Sequence, residues 1–319
     1  MRLHRMLGAA VAAATVLAVM APRAGFADDQ QDLIKPITKP LTFVWIPKLV
    51  HPWYQEVQNG ANYAIQEFKQ RGITIKMDWN APPQADIVDQ NRRIETAIAS
   101  HPDGLAVSCL DPATNDELLR EAVKANVNLI TFDTFCSKEF PFVGHHADEE
   151  DGLRLGALLA KKLDGKGEVA ILSGSLTAPN HVARVKGFKE ALAKFPGIKI
   201  VFDQPDNDNL ERAVTLSENA LQAHPDISAF FAANASAPVG AARTVSNAGK
   251  GGKILIVGFD ELPETQKFLD TGVIYATVLQ RQWEQGYWGI YYLAALNENH
   301  TIPMVHETGS RIIISKKDM

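Results

Sequence analysis

Glu95-Thr-Ala-Ile-Ala-Ser-His-Pro-Asp103 is echoed further along the chain by Glu218-Asn-Ala-Leu-Gln-Ala-His-Pro-Asp226. In both places the apolar spacing reads as the end of a helix, and His-Pro-Asp punctuates the turn that follows it. A short β-branched or apolar run comes next, Gly104 to Ser108 in one copy and Ile227 to Ala232 in the other. After a further helical stretch each copy reaches a second run ending in Phe-Asp: Phe132-Asp133 and Phe259-Asp260. Pro-Asp alone is common at turns, so a chance likeness of two units is the alternative. The matched order of these features reads instead as an internal duplication.

The same alternation extends outward from the repeat. Further strand-like runs are Leu41 to Lys48, Ile73 to Trp79, Asn128 to Asp133, Gly167 to Ser173, Ile198 to Asp203 and Lys253 to Asp260. Between the first two, Trp53, Val57, Ala61, Ala64, Ile65 and Phe68 share one face of a 3.6-residue period; Ile87, Asn91, Ile94 and Ile98 nearly do so in the next helix. Strand and helix in alternation build right-handed βαβ units on a mainly parallel sheet. The expected fold is therefore α/β with two like-built lobes. Ligands of such sheets bind beyond the carboxyl ends of the strands. Asp133 and Asp260 sit at two such ends, and facing lobes would bring both carboxylates to one cleft as acceptors for hydroxyl groups.

Composition agrees with a globular protein. The 319 residues are 46% hydrophobic and 22% charged with only two cysteines, which excludes disorder, collagen-like repetition and a small disulfide-stapled scaffold. Arg2 and Arg5 precede an apolar run from Met6 to Ala21, and Gly25-Phe26-Ala27 supplies small residues before Asp28. This pattern predicts a signal peptide over residues 1–27 and a mature protein in a Gram-negative periplasm. A membrane anchor is the weaker reading, because the run is shorter than the ~20 residues that span a bilayer. Cleavage would remove three arginines and take the net charge from −5 to −8. A mildly acidic chain without a basic run has no footprint for nucleic acid or an anionic membrane, leaving a small or neutral partner.

Cys109 and Cys136 follow strands expected to be neighbours in one sheet, and an oxidising compartment permits them to pair; two separate buried thiols are the alternative. A disulfide there would stabilise by about 3 to 4 kcal/mol on the chain-entropy model. At the first strand end, Trp53 and Tyr54 offer apolar faces for a sugar ring, while Lys48 and His51 donate to its oxygens. Because consecutive helical residues cannot both face the core, at least one aromatic is expected to point toward the strand ends. His145 and His146 are adjacent with no third ligand at a recognisable spacing, so no metal is expected, and a hinge position suits them better. No GxSxG, HExxH, CxxC or Walker pattern occurs, and Gly165 to Ala170 matches GxGxxA only ahead of a strand, as a turn. No cofactor is expected. Asp133 and Asp260 could be read as a glycosidase pair, but Arg184 beside them would keep both ionised, which favours hydroxyl binding over catalysis.

The segments IPKLVHPWY (46–54), ITFDTF (130–135), NHVARVKGF (180–188), FFAANASAPVGA (230–241), IVGFD (256–260) and YATVLQ (275–280) resemble, in order, the ribose-binding-protein-like periplasmic sugar receptors of ABC transporters. The resemblance covers essentially the whole mature chain. It implies two Rossmann-like lobes with parallel sheets joined by three hinge strands, the type I periplasmic binding protein fold. Residues 28–145 with 281–308 would form the N-terminal lobe, and 146–280 with 309–319 the C-terminal lobe. By matched position it makes Pro47, His51, Trp53, Tyr54, Asp133, Arg184, Asn234, Asp260 and Gln280 sugar-contacting candidates. Asn180 and His181, which open the third segment, are further ligand-contact candidates, with His181 expected to approach the cleft rim. Thr134 stands where the ribose receptor has an arginine, and Asp208 lies near its stacking phenylalanine, so ribose itself is doubtful. The Pro47-Lys48 pair is more similar to the branch holding rhamnose and autoinducer-2 receptors, which widens the ligand class to sugars, deoxysugars and polyols. The implied role is that of a monomeric receptor handing its ligand to an ABC permease. The alternative is a sensor that presents its closed form to a chemoreceptor or histidine kinase. A transcription repressor core shares the fold but needs an N-terminal helix-turn-helix where this chain has a signal sequence.

Overall fold

The computed structural model describes residues 35–317. The expected signal peptide lies outside the described residues. The first half runs β1 (Leu41–Ile46), α1 (Pro52–Gln70), β2 (Ile75–Trp79), α2 (Ile87–Ala99), β3 (Gly104–Val107), α3 (Pro112–Lys124), β4 (Leu129–Phe132) and β5 (Phe142–Gly144). The second runs α4 (Asp148–Lys162), β6 (Lys166–Leu172), α5 (Pro179–Leu192), β7 (Gly197–Gln204), α6 (Leu210–Ala223), β8 (Ile227–Ala232), α7 (Ser236–Asn247), β9 (Leu255–Phe259), α8 (Pro263–Thr271) and β10 (Ala276–Gln280). Helix α9 (Gln282–Asn297) then precedes β11 (Val305–Glu307) and β12 (Ser310–Ile314).

The helices start where the sequence supplies caps. His51 accepts from Trp53 N and Pro52 opens α1; Asp86 accepts from Asp89 N at α2; Asp111 accepts from Ala113 N ahead of Pro112 at α3. The expected face of α1 is buried through Trp53, Val57, Ala61, Ala64 and Phe68. In α2 the buried stripe is Gln90, Ile94 and Ala97, so Ile87, Asn91 and Ile98 are displaced to its margins. The cause is the Gln90 amide: it donates to Pro47 O (3.2 Å) and Ser108 O (2.8 Å) and accepts from Leu110 N (3.2 Å). A buried polar group fully satisfied in this way holds a core position that a hydrophobic pattern cannot reveal.

Two six-stranded sheets result, in the orders β11-β5-β4-β3-β1-β2 and β12-β10-β9-β8-β6-β7. The orders correspond strand for strand, so β3 and β8, which follow the two sequence repeats, occupy equivalent places, as do β4 and β9. All pairings are parallel except β10 with β12. Separate cores of Phe43, Trp45, Phe132 and Leu293 in one lobe and Val169, Phe188, Phe231 and Val257 in the other confirm two lobes. The chain passes between sheets three times: after β5, after β10 and between β11 and β12. In each lobe, two helices touch through glycines. A Cβ on Gly60 or Gly286 would collide with the backbone of Trp283 or Val57, and one on Gly152 or Gly187 with that of Arg184 or Glu149.

His145 occupies the first crossing. It lies 2.7 Å from Asp151 Oδ2 and 2.8 Å from Glu307 Oε1, which joins the first crossing to the third. Ser310 Oγ also donates to Asp151, at 2.5 Å. Burial opposes a charged imidazole here, but the Asp151 and Glu307 carboxylates on either side of the ring outweigh it and raise the pKa to about 9. Both acids are correspondingly lowered. A raised histidine contributes stability that is fully present below its unfolded value of 6.5 and is lost as pH rises through about 9. His145→Gln should therefore cost about 3 kcal/mol near neutral pH and progressively less toward pH 9. Urea unfolding of both proteins between pH 6 and 9.5 checks this; a constant difference would deny the histidine its charge.

Candidate functional site

Strands β4 and β9 end in the two aspartates that the repeat singled out, and both carry a left-handed backbone, with φ of 60° at Asp133 and 71° at Asp260. Aspartate tolerates this conformation better than most residues. Each amide continues its ladder by one bond, Asp133 N to Val143 O and Asp260 N to Val278 O. The carboxylates thus leave the sheets at equivalent points and line one cavity between the lobes, with an empty volume of about 280 Å³ including its mouth.

Lys48, His51, Trp53, Tyr54 and Asp133 line it from the first lobe, and Asn180, His181, Arg184, Asp208, Asn234, Asp260 and Gln280 from the second. Trp53 and Tyr54 are both nearly inaccessible, at 5% and 3% exposure, and pack edge to face. The pair therefore serves core and cavity together. Leu49 and Ala235 complete the lining and carried no sequence signal. Pro47 and Thr134 do not line the cavity. Pro47 offers its carbonyl to Gln90, and the Thr134 hydroxyl turns inward to Asp133 Oδ2 at 3.3 Å.

Asp133 is the most heavily bonded group. Its Oδ2 accepts from Tyr54 Oη (2.6 Å) and Ser108 Oγ (2.7 Å) and lies 3.2 Å from Lys48 Nζ. Burial opposes its charge, but Lys48 and these hydrogen bonds bring the carboxyl below its ordinary value. Burial, reinforced by Asp133, pushes the Tyr54 phenol well up, so Tyr54 remains a donor. Lys48 also reaches across the cleft to Asn180 Oδ1 (3.4 Å), and His51 Nε2 meets Ser236 Oγ of the opposite lobe at 2.8 Å.

Arg184 anchors the other wall. Its Nε donates to Asp148 Oδ1 (2.7 Å), its Nη1 to Ala233 O (3.0 Å), and its guanidinium stacks 4.2 Å from the Phe259 ring centre. Nη1 is also 3.9 Å from Asp260 Oδ2, while Gln280 Nε2 donates to Asp260 Oδ1 at 2.7 Å. Asp260 is pushed above its ordinary value, because burial outweighs Arg184 and the bonds of Trp53 and Gln280. Asn234 is positioned by Asp206 Oδ2 (2.7 Å) and caps Ala237 N. Asp206 also takes Gly174 N (2.9 Å), and burial together with Asp208 raises it to about 6. Gly174, at φ 71°, lies against the His181 ring where a Cβ would not fit. His181 Nδ1 accepts from Ser175 N, and burial with the nearby cations drives its pKa well down, leaving Nε2–H as a neutral donor.

Ser108, Asp148 and Asp206 were not found by sequence reasoning. Ser108 ends an expected strand and Asp206 stands two residues before Asp208, but nothing near Asp148 marks it as the partner of a residue 36 positions away. Cys109 and Cys136 are joined as a disulfide, with Cα atoms 5.6 Å apart.

A family model for a periplasmic binding protein domain matches residues 43–300. The chain belongs to that family. This periplasmic binding protein is 29% identical over 261 residues to the D-ribose/D-allose-binding protein of Pseudomonas aeruginosa, an alignment covering 79% of this chain and 80% of its relative. It is 28% identical to the D-allose-binding periplasmic protein of Escherichia coli, over 77% and 81% of the two chains. Among solved structures, a solute-binding protein from Burkholderia graminis in complex with D-arabinose superposes with a TM-score of 0.80 at 29% identity, covering 87% of this chain and 96% of the other. No helix among the described residues is long and apolar enough to cross a membrane.

Proposed function

We propose that this periplasmic binding protein captures one sugar or polyol between its lobes and delivers it to an ABC permease. The observation that carries the reading is a buried donor and a buried acceptor in the cavity wall. Among the described residues, neither Arg184 Nη2 nor Gln280 Oε1 has a hydrogen-bond partner. Such groups are costly unless a ligand engages them, and a hydroxyl, which both donates and accepts, suits the pair. Every contact to Asp133 described above falls on Oδ2, which leaves Oδ1 as a further acceptor. Both cations are offset by carboxylates, so the site suits a neutral ligand. Relatives named for D-ribose and D-allose binding, and a solute-binding protein solved in complex with D-arabinose, support the sugar class.

In this reading residues 28–145 with 281–308 and 146–280 with 309–319 move as two bodies about the three crossings. Closure completes the hydrogen-bond shell, and a permease of the inner membrane reads the closed face of a monomer exported by its signal peptide. The test is calorimetric titration and thermal shift of protein freed of carried-over ligand, against D-ribose, D-allose, D-arabinose, deoxysugars and polyols. Ligand at 100 times its Kd should add about 2.7 kcal/mol of stability. Absence of any response overturns the sugar class. Co-purification with a histidine kinase sensor domain in place of a permease would move the role to sensing.

A further inference from the structure

We propose that the Cys109–Cys136 disulfide is a positioning group for the ligand-binding carboxylate: it pins the loop after β4 to the loop after β3 and so holds Asp133 against Ser108. Cys109 directly follows Ser108, and Cys136 lies three residues beyond Asp133. The first loop is firmly anchored. Gln90 holds Ser108 O and Leu110 N, and Asn115 Oδ1 accepts from Leu110 N and Asp111 N, both at 3.1 Å. The second loop begins with the left-handed Asp133, whose amide bond to Val143 O is long at 3.3 Å. Its next side chain but one, Phe135, rests on His146 at 4.2 Å between ring centres. The disulfide is the covalent tie from the anchored loop to the one that carries the carboxylate.

The opposite lobe supplies an internal comparison. There the equivalent strand ends, after β8 and β9, are spanned by Arg184, which bonds Ala233 O and approaches Asp260. Each lobe thus has a device bridging the same two strand ends beside its aspartate, an arginine in one and, in addition to the Ser108–Asp133 bond, a disulfide in the other. Holding a site rigid before the ligand arrives reduces the ordering cost of binding.

The role in ligand affinity rests on the sugar-binding reading; the role in positioning Asp133 does not, and the experiment separates them. Dithiothreitol delivers two electrons and two protons to the disulfide, giving two thiols and its own cyclic disulfide. Reduced wild type and Cys109→Ala/Cys136→Ala are compared with oxidised protein well below their melting temperatures. In ligand-free protein, amide hydrogen exchange at Asp133 and Thr134 should quicken by about tenfold or more while Ile130 in β4 is unchanged. Unchanged exchange at Asp133 and Thr134 overturns the proposal even if the melting temperature falls. In the second arm, affinity for D-ribose, D-allose and D-arabinose is measured calorimetrically. Any of these that binds the oxidised protein should bind the Cys-free variant about tenfold more weakly. Ser108→Ala should then cost less affinity in that background than in the disulfide-bonded one. Equal affinity, or strict additivity with Ser108→Ala, also overturns the proposal. If oxidised protein binds none of the three sugars, the sugar reading loses its support while the exchange result still decides the positioning role.

Discussion

Asp133→Asn will weaken binding of the cognate sugar about a hundredfold or more, because it removes a charged acceptor whose hydrogen bonds contribute about 1.5–3 kcal/mol each. Asparagine keeps the left-handed backbone, so the loss is chemical and not conformational. It also strips Lys48, itself only 4% exposed, of its carboxylate partner at 3.2 Å. An unpaired buried ammonium costs several kcal/mol, so melting should also fall. Asp133→Ala will melt lower still, since alanine is strained at φ 60°. Calorimetric titration with the sugar identified by screening, paired with thermal melts, checks both effects. Full affinity in a folded Asp133→Asn protein would remove this carboxylate from the binding site.

Arg184→Ala will be the most destabilising single substitution in the cleft, by about 3–5 kcal/mol, because it leaves buried carboxyls without their cation. Asp148 loses its 2.7 Å partner, Asp260 its nearby guanidinium, Ala233 O a donor and Phe259 the cation on its ring. Burial already pushes Asp148 and Asp260 above their ordinary values with Arg184 present. Removing the arginine raises both further, so the deficit will shrink as pH falls and the carboxyls take up protons. Arg184→Ala/Asp148→Asn should recover part of the loss. Urea unfolding between pH 4.5 and 7.5 measures this; a deficit independent of pH would show that lost packing, and not lost charge compensation, is the cause.

The two aspartates were legible because they end strands whose pattern is local: each closes a buried run, and each follows a copy of the same repeat. Trp53 and Tyr54 were legible as a pair, but the rule that neighbours on a helix face apart underestimated how thoroughly two adjacent aromatics can be buried at a helix start beside a cleft. Gln90 shows the opposite failure. Its position on α2 looks solvent-facing from composition alone, and only the carbonyls of Pro47 and Ser108, brought in from two other strand ends, make it a core residue. Thr134 stood at a family contact position but spends its hydroxyl on Asp133.

By itself the sequence determined the alternation of strand and helix, the duplication into two lobes and the placing of a carboxylate at each matched strand end, because these depend on periodicity and turn chemistry within short windows. Only the tertiary structure decided which groups hold those carboxylates in place: Ser108 and Lys48 on Asp133, Asp148 behind Arg184, Asp206 behind Asn234, and His145 between two crossings. These partners are distant along the chain, and a buried charge or amide takes whichever group the packing of sheets and helices delivers within about 3 Å.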